Sequence, residues 1–523
     1  MSSSRHLNVF IVSISTVGSR ILGLLRDILV FSIFGSSLLN SAFLLAFTFP
    51  NLFRRLLGEG ALTAALLPLL TEERERSGDA GLCRLFNKIL SRVMTLLFFL
   101  VGFGSLIMIL VSKIPGLEER WELTMVLGVL LFPYMALVCL AAAFAAALNA
   151  IHRFAIPALT AVWLNLSIIL FLGCLGYFAT QVPLYRMYWL CAGVLFGGVL
   201  QLMVPWVAFR RDGWRFDLDF KPSPQVREFG RLLLPGILGA SVIQINILVS
   251  RSLAHFISES AVSVYYLANR LVELPLGVFT IAIATVYFPA FSEKATRGDK
   301  DGFSRIFRQS MRLMFAITIP ATAGFLVMGK PILSFLFEWG AFNASDTVLT
   351  LPLLWAFALG LPLYSMVALL VRGFYAHKDT KTPMMVAIFS FVLNLALSLA
   401  LMRPLGVIGL AVANVLSILG QTILLNGILS GQLDSRLFRD LLADLLRIGA
   451  AAVVMVGTTL LLRKLLEFLP LTSKGEAAVG VLVVIPLAVI VYFCILWLVR
   501  FREMNKLIDL GLRFIRRGKA VTR

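Results

Sequence analysis

FTFPNLFRRLLGEGALTAALLPLL, residues 47–70, is apolar at almost every position, yet Arg54, Arg55 and Glu59 stand in its middle. As a helix rising about 1.5 Å per residue, the stretch is long enough to cross the roughly 30 Å hydrocarbon core of a bilayer. An arginine at the centre of such a helix costs about 2.5–3.5 kcal/mol on insertion scales, so it must face a watery cavity or a counter-ion. The stretch therefore predicts a membrane-spanning helix and, beside it, a polar interior for the arginines to face.

The same pattern recurs from end to end. The chain has 523 residues, 59% hydrophobic and only 14% charged, against about 25% charged in an ordinary soluble domain, and its mean hydropathy is +0.91. Fourteen candidate spans can be drawn, at roughly 8–34, 38–70, 90–112, 123–149, 155–179, 187–209, 232–256, 261–291, 313–329, 347–375, 383–402, 405–430, 447–466 and 476–499. Ten-residue alternating segments, the mark of a transmembrane barrel, do not occur. The fold class is an all-α polytopic membrane protein with 14 transmembrane helices. The first apolar run, from Val9, is interrupted by Arg20 and Arg26 and lacks a small-residue cleavage site, so it is expected to be a retained span.

Basic residues orient the spans. Of the 47 lysines and arginines, seven fall inside spans; of the other 40, 32 lie in loops on the side of the N-terminus and eight on the opposite side. This bias predicts that both termini are cytoplasmic. It also accounts for the net charge of +19 as topology, since the cations are scattered through juxtamembrane loops and form no nucleic-acid-binding face.

An internal repeat divides the chain. Residues 131–170 resemble 359–399: Ala150 and Pro157 match Ala376 and Pro383 at an offset of 226, and His152 and His377, Asn165 and Asn394 follow within a turn. Six spans separate the copies, an even number, so the copies share orientation. Two parallel six-helix lobes are a transporter architecture. The expected division is 1–215 for the N-lobe (helices 1–6), 216–435 for the C-lobe (helices 7–12), and 436–523 for helices 13 and 14 with a basic tail.

The seven intramembrane cations are Arg20, Arg26, Arg54, Arg55, Arg251, Arg270 and Arg372, all arginine, against the carboxylates Asp27, Glu59 and Glu273. Arginine, with its planar fork of donors, suits bidentate contact with phosphate better than lysine does. An excess of arginine over carboxylate predicts an anionic, phosphorylated substrate. Arg251 and Arg372, near span ends, read as snorkelling to the interface. Arg54 and Arg55 are about 100° apart on a helix, so one is expected to line the cavity and the other to pair with Glu59. A pairing of Arg270 with Glu273, one turn on, is also open. Pro50, Gly58, Gly60, Pro275 and Gly277 mark bends in spans 2 and 8.

Enzyme and metal signals are thin. GFLVMGK (324–330) has P-loop spacing but continues with Pro331 in place of Ser or Thr and ends an apolar span. The five cysteines form no C-x-x-C pair, and the four histidines no H-E-x-x-H motif.

Four ordered motifs, SRILGLLRDILVFSIFG, FPNLFRRLLGEGALTAALLPLL, YYLANRLVELPLGV and GFYAHKDTKTP, together resemble the MurJ (MviN) family of lipid II flippases, within the multidrug/oligosaccharidyl-lipid/polysaccharide exporter superfamily. The resemblance spans nearly the whole chain. It implies fourteen helices in two lobes plus a lipid-facing pair, and a transporter, not an enzyme, in the bacterial cytoplasmic membrane. It implies that lipid-linked peptidoglycan precursor is flipped from the cytoplasmic to the periplasmic leaflet by alternating access. The family's cavity arginines fall on Arg20, Arg26, Arg54 and Arg270, with Asp27, Arg55, Glu59 and Glu273 in supporting or gating positions. Implied partners are lipid II, membrane lipid and the cell-wall synthesis machinery, with no cofactor and no metal. Ser41 stands where an acidic residue is common in the family and Ser250 where some members carry one; in those members that carboxylate helps form a cation site with spans 11 and 12, where this chain offers Asn394, Ser398 and Asn414. Other readings are an exporter of a different lipid-linked glycan and a drug/cation antiporter of the same superfamily.

Overall fold

Helix follows helix from Ser2 to Leu498, and no strand occurs among the described residues. The structure, a computed structural model, describes the backbone of residues 2–433, 437 and 441–504, and side chains there except at residues 2–14, 16, 17, 58–61, 236 and 238–240. The helical rods are α1 (Ser2–Phe34), α2 (Leu38–Ser112), α3 (Glu119–Ala150), α4 (Ala155–Ala179) and α5 (Pro183–Arg211), then α6 (Pro224–Ile257). They continue as α7 (Ala261–Thr296), α8 (Lys300–Phe337), α9 (Ala344–Ala376), α10 (Lys381–Leu405), α11 (Val407–Leu433), α12 (Leu442–Leu466) and α13 (Ser473–Leu498).

Eleven of these rods, all but α1 and α6, are long and apolar enough to cross a membrane among the described residues. The rod α2 contains two of the sequence spans, 38–70 and 90–112, joined across a backbone break at Gly78 with φ 68°. The spans at 8–34 and 232–256 fall on α1 and α6.

The rods begin and end where local chemistry dictates. Ser37, Ser223, Asp299, Asn343 and Thr472 each accept a backbone N–H at a helix start, satisfying donors that have no partner inside the helix. Two internal bends were marked in the sequence by proline and glycine. Both are π-helical turns, Arg54–Ala61 after Pro50 and Leu276–Thr280 after Pro275. Proline supplies no N–H and displaces the carbonyl one turn back, and such turns are frequent at functional sites.

Two compact units divide the chain: Met1–Ser263 with Trp339–Phe342, and Val264–Glu338 with Asn343–Arg523. The unit boundary lies after α6, whereas the repeat places the lobe boundary before it.

In the first unit Phe86, Phe144, Phe209 and Trp214 gather from α2, α3, α5 and the residues after α5. Ring centroids are 5.2 Å apart for Phe86–Phe144 and for Phe144–Trp214. Each such pair contributes about 0.5–1.5 kcal/mol beyond burial. The Trp214 indole finds its acceptor in Asn87 Oδ1 at 2.8 Å. The segment Trp339–Phe342 caps α1: Ala341 N–H donates to the Ser32 carbonyl at 2.7 Å, and Phe342 meets Phe31 edge-on at 5.8 Å. Gly340, at φ +60°, makes this approach possible, because a Cβ there would lie 2.2 Å from Ser32 O.

In the second unit the Phe291 ring meets those of Phe303 and Phe307 with centroids 5.4 and 5.5 Å apart, Phe303 meets His377 at 4.7 Å, and Tyr492 of α13 donates to Ala316 O of α8 at 2.7 Å. A buried ion network joins α12 to α8: Arg312 meets Asp444 at 3.2 Å and Glu503 at 3.5 Å, and Arg447 meets Asp444 at 3.1 Å.

The repeat has a backbone signature inside each unit. After Ala150, Arg153 N–H donates to Leu148 O at 2.9 Å with His152 at φ 64°; after Ala376, Asp379 N–H donates to Phe374 O at 3.0 Å with Lys378 at φ 61°. Both are Schellman-type helix ends, and donors, acceptors and left-handed residues all correspond at the offset of 226. His152 therefore matches Lys378 in structure, and His377 stands one residue earlier.

Candidate functional site: intramembrane arginines

Arg26 is held from two helices. Its Nε and Nη2 both donate to Asp27 Oδ1, at 3.1 and 2.6 Å, and its Nη1 donates to Asn165 Oδ1 at 3.1 Å. Asn165 in turn donates to Ser19 O at 3.1 Å. The Arg26 side chain is 15% exposed and that of Asp27 5%, so the pair is shielded from lipid by α1 itself and by α4. In such a setting a charged group must be paired and hydrogen-bonded. Asp27 is adjacent in sequence and could be named from it. Asn165, 139 residues away, was legible only through its place in the repeat, opposite Asn394. Arg20, on the same helix, is half-buried.

Arg54 opens the π-helical turn in α2 and donates from Nε to Asn51 Oδ1 at 2.7 Å. Arg55 beside it is also half-buried. The side chain of Glu59 lies outside the described residues. Arg251, read from sequence as snorkelling from a span end, is half-buried and donates to Thr48 Oγ1 of α2 at 2.7 Å. Nothing in the residue pattern marks this contact across 203 positions.

In the second unit Arg270 and Glu273 form the one-turn pair at 3.3 Å, with side chains 28% and 38% exposed. Asn269 adds a bond to Glu273 Oε1 at 3.1 Å. Arg372 donates to Ile281 O at 3.3 Å. Asn394 and Ser398 are buried on α10, and Asn414 on α11 accepts from Tyr364 at 2.6 Å. Neutral oxygens are what these three residues bring, and among the described residues no group of three His, Cys, Asp or Glu could hold a metal ion.

The arrangement is one of forked donors held in apolar helices by amide and carboxylate oxygens. Guanidinium groups held in this way are pre-oriented, and a planar fork of N–H donors is in general suited to carboxylate and phosphate oxygens.

The family model described as lipid II flippase MurJ matches residues 30–474. This chain belongs to the MurJ family. A probable lipid II flippase MurJ of Rhizobium meliloti (strain 1021) is 34% identical over 411 residues, covering 77% of this chain and 76% of the relative. That of Bdellovibrio bacteriovorus (strain ATCC 15356 / DSM 50701 / NCIMB 9529 / HD100) is 31% identical over 513 residues, 96% of each chain. Among solved structures, a lipid II flippase MurJ in an inward closed conformation superposes with a TM-score of 0.75 at 26% identity, over 94% of this chain and 100% of that one. An inward-facing multidrug resistance MATE family transporter of the MOP superfamily gives a TM-score of 0.66 at 15% identity, over 79% and 94%, and shares the fold. MurJ family membership makes the chain a multi-pass transporter of the bacterial inner membrane, not an enzyme.

Proposed function

We propose that this protein carries lipid II from the cytoplasmic to the periplasmic leaflet by alternating access, supplying precursor for peptidoglycan synthesis. Arg20, Arg26, Arg54 and Arg270 hold the pyrophosphate, while the polyprenyl tail stays in the bilayer against the two C-terminal helices. The observation that carries this reading is the held guanidinium of Arg26, set by Asp27 and Asn165 inside an apolar helix. A pyrophosphate leaving water loses strong hydration and requires several forked donors in exchange. Binding too tight would stall release, so the arginine set is assembled to hold the headgroup and taken apart to free it. The family match supports lipid II over other lipid-linked glycans. The seven-to-three excess of intramembrane arginines over carboxylates disfavours drug–cation antiport, which needs acidic groups.

The accompanying topology is fourteen crossings with both termini cytoplasmic, α2 supplying two of them, in two six-helix lobes (1–215 and 216–435) followed by the pair in 436–523. The test is rescue: cells depleted of their own lipid II flippase should grow and keep their shape when this gene is expressed. Lysis despite normal membrane levels of the protein would overturn the assignment.

A further inference from the structure

Between α5 and α6 the chain leaves the helix, and residues 215–221, RFDLDFK, alternate charged and apolar side chains with the period of an extended strand. Phe216, Leu218 and Phe220 are 48%, 61% and 53% exposed. They are not on a slack loop. Asn87 Nδ2 donates to Arg215 O at 2.9 Å, and Asp219 N–H donates to Ser91 Oγ at 3.1 Å. Arg92 donates to Asp219 O, Phe220 O and Lys221 O at 3.3, 2.6 and 3.0 Å. Trp214, fully buried among Phe86, Phe144 and Phe209, fixes the start of the segment. The backbone is thus clamped to α2, and three large apolar side chains are left facing outward, a cluster that marks an interaction surface.

The clamp also sets the depth of the segment. Arg92 lies one turn before Leu96, and Leu96, Phe98 and Phe99 are 53%, 74% and 66% exposed, as residues facing acyl chains are. On α5, Phe196, Val199 and Met203 are exposed in the same manner, and the segment starts just beyond that helix. It therefore lies where the lipid-facing surface begins. The charges around it suit a lipid surface. Arg210, stacked on Trp206 at 5.5 Å, Arg211, Arg215 and Lys221 are exposed. Of the nearby carboxylates, Asp212 is engaged by Arg153, Asp219 accepts from the Lys221 N–H at 2.8 Å, and Asp217 is exposed.

We propose that residues 215–221 form an interfacial anchor: Phe216, Leu218 and Phe220 enter the boundary between headgroups and acyl chains of an anionic leaflet, and the flanking arginines and Lys221 meet its phosphates. Aromatic and long basic side chains prefer this level of a bilayer. The proposal rests on α2 and α5 crossing the bilayer and is independent of what the protein transports.

The test uses the full-length protein in phosphatidylethanolamine–phosphatidylglycerol vesicles, with its five cysteines replaced and an environment-sensitive thiol dye attached at Leu218→Cys or, as reference, Asp217→Cys. The expected result is loss of emission at position 218 with lipids carrying a nitroxide near the headgroup and little loss with aqueous iodide, the order reversing at 217. Quenching of 218 by iodide as strong as that of 217 would leave the triad in water and overturn the proposal. Protection of 218 from both quenchers would bury it in protein and overturn it equally. Phe220→Cys repeats the measurement should Leu218→Cys fold poorly.

Discussion

Arg26 keeps its charge in an apolar helix because Asp27 takes two of its N–H groups and Asn165 a third. Asp27→Asn keeps the shape of the partner and removes its charge. It should lower stability by about 1–3 kcal/mol, the cost of leaving a buried donor poorly satisfied, read as a lower unfolding midpoint in detergent; an unchanged midpoint would mean that Asp27 does not hold the guanidinium. Arg26→Lys preserves the charge and loses the fork. Outer-face lipid II should fall in cells relying on that variant, and wild-type levels would show that charge alone suffices. At this scale the sequence was legible where partners are close along the chain, as in Arg26–Asp27 and Arg270–Glu273. It was silent where a partner arrives from another helix without a charge to mark it, as Thr48 does for Arg251. A threonine in an apolar run looks the same whether it caps its own helix or receives an arginine.

The bends in α2 and α7 were legible as elements because proline and glycine act locally. Pro50 and Pro275 disturb the helix whatever packs against it, and a π-helical turn follows each. The repeat was legible for the same reason, since a helix end needs a left-handed residue and a following turn, and those residues recur at a fixed offset. The docking of α12 was not legible: Asp444 reads as an ordinary first-turn acid, yet its side chain is 2% exposed and bound by Arg312 of α8. Removing one partner of a buried pair costs about 3–5 kcal/mol, so Asp444→Asn, which keeps the shape and removes the charge, should depress the unfolding midpoint. A midpoint equal to that of the unsubstituted protein would show that the charge is not what docks α12. Gly340→Ala places a Cβ against the Ser32 carbonyl at positive φ and should destabilise by more than about 1 kcal/mol. A neutral effect in the same unfolding assay would mean that this cap on α1 can shift freely.

Over the whole molecule, the division of cations, 32 on one side and eight on the other, predicts a topology that can be read chemically. Cysteines introduced at Ser37, Ser258 or Ser473, in a background without native cysteines, should react with an impermeant thiol reagent added outside intact cells, and one at Ser223 should not; outside labelling at Ser223 would invert the arrangement. The fold class follows from composition and span length, quantities that survive any error in detail. The grouping of α6 did not follow from them. Repeat counting assigns it to the second lobe, while its packing against α2 puts it in the first compact unit. Sequence periodicity reports which segments are alike, and packing depends on which faces meet.

The central proposal is that Arg26 and Arg270 each act on the pyrophosphate of lipid II during transport. The most direct measurement is the fraction of lipid II accessible at the outer face of the membrane in cells that depend on Arg26→Ala or Arg270→Ala, with membrane insertion of each variant verified. The account predicts that accessibility is lost in both while insertion is normal. Wild-type accessibility in both variants would contradict it.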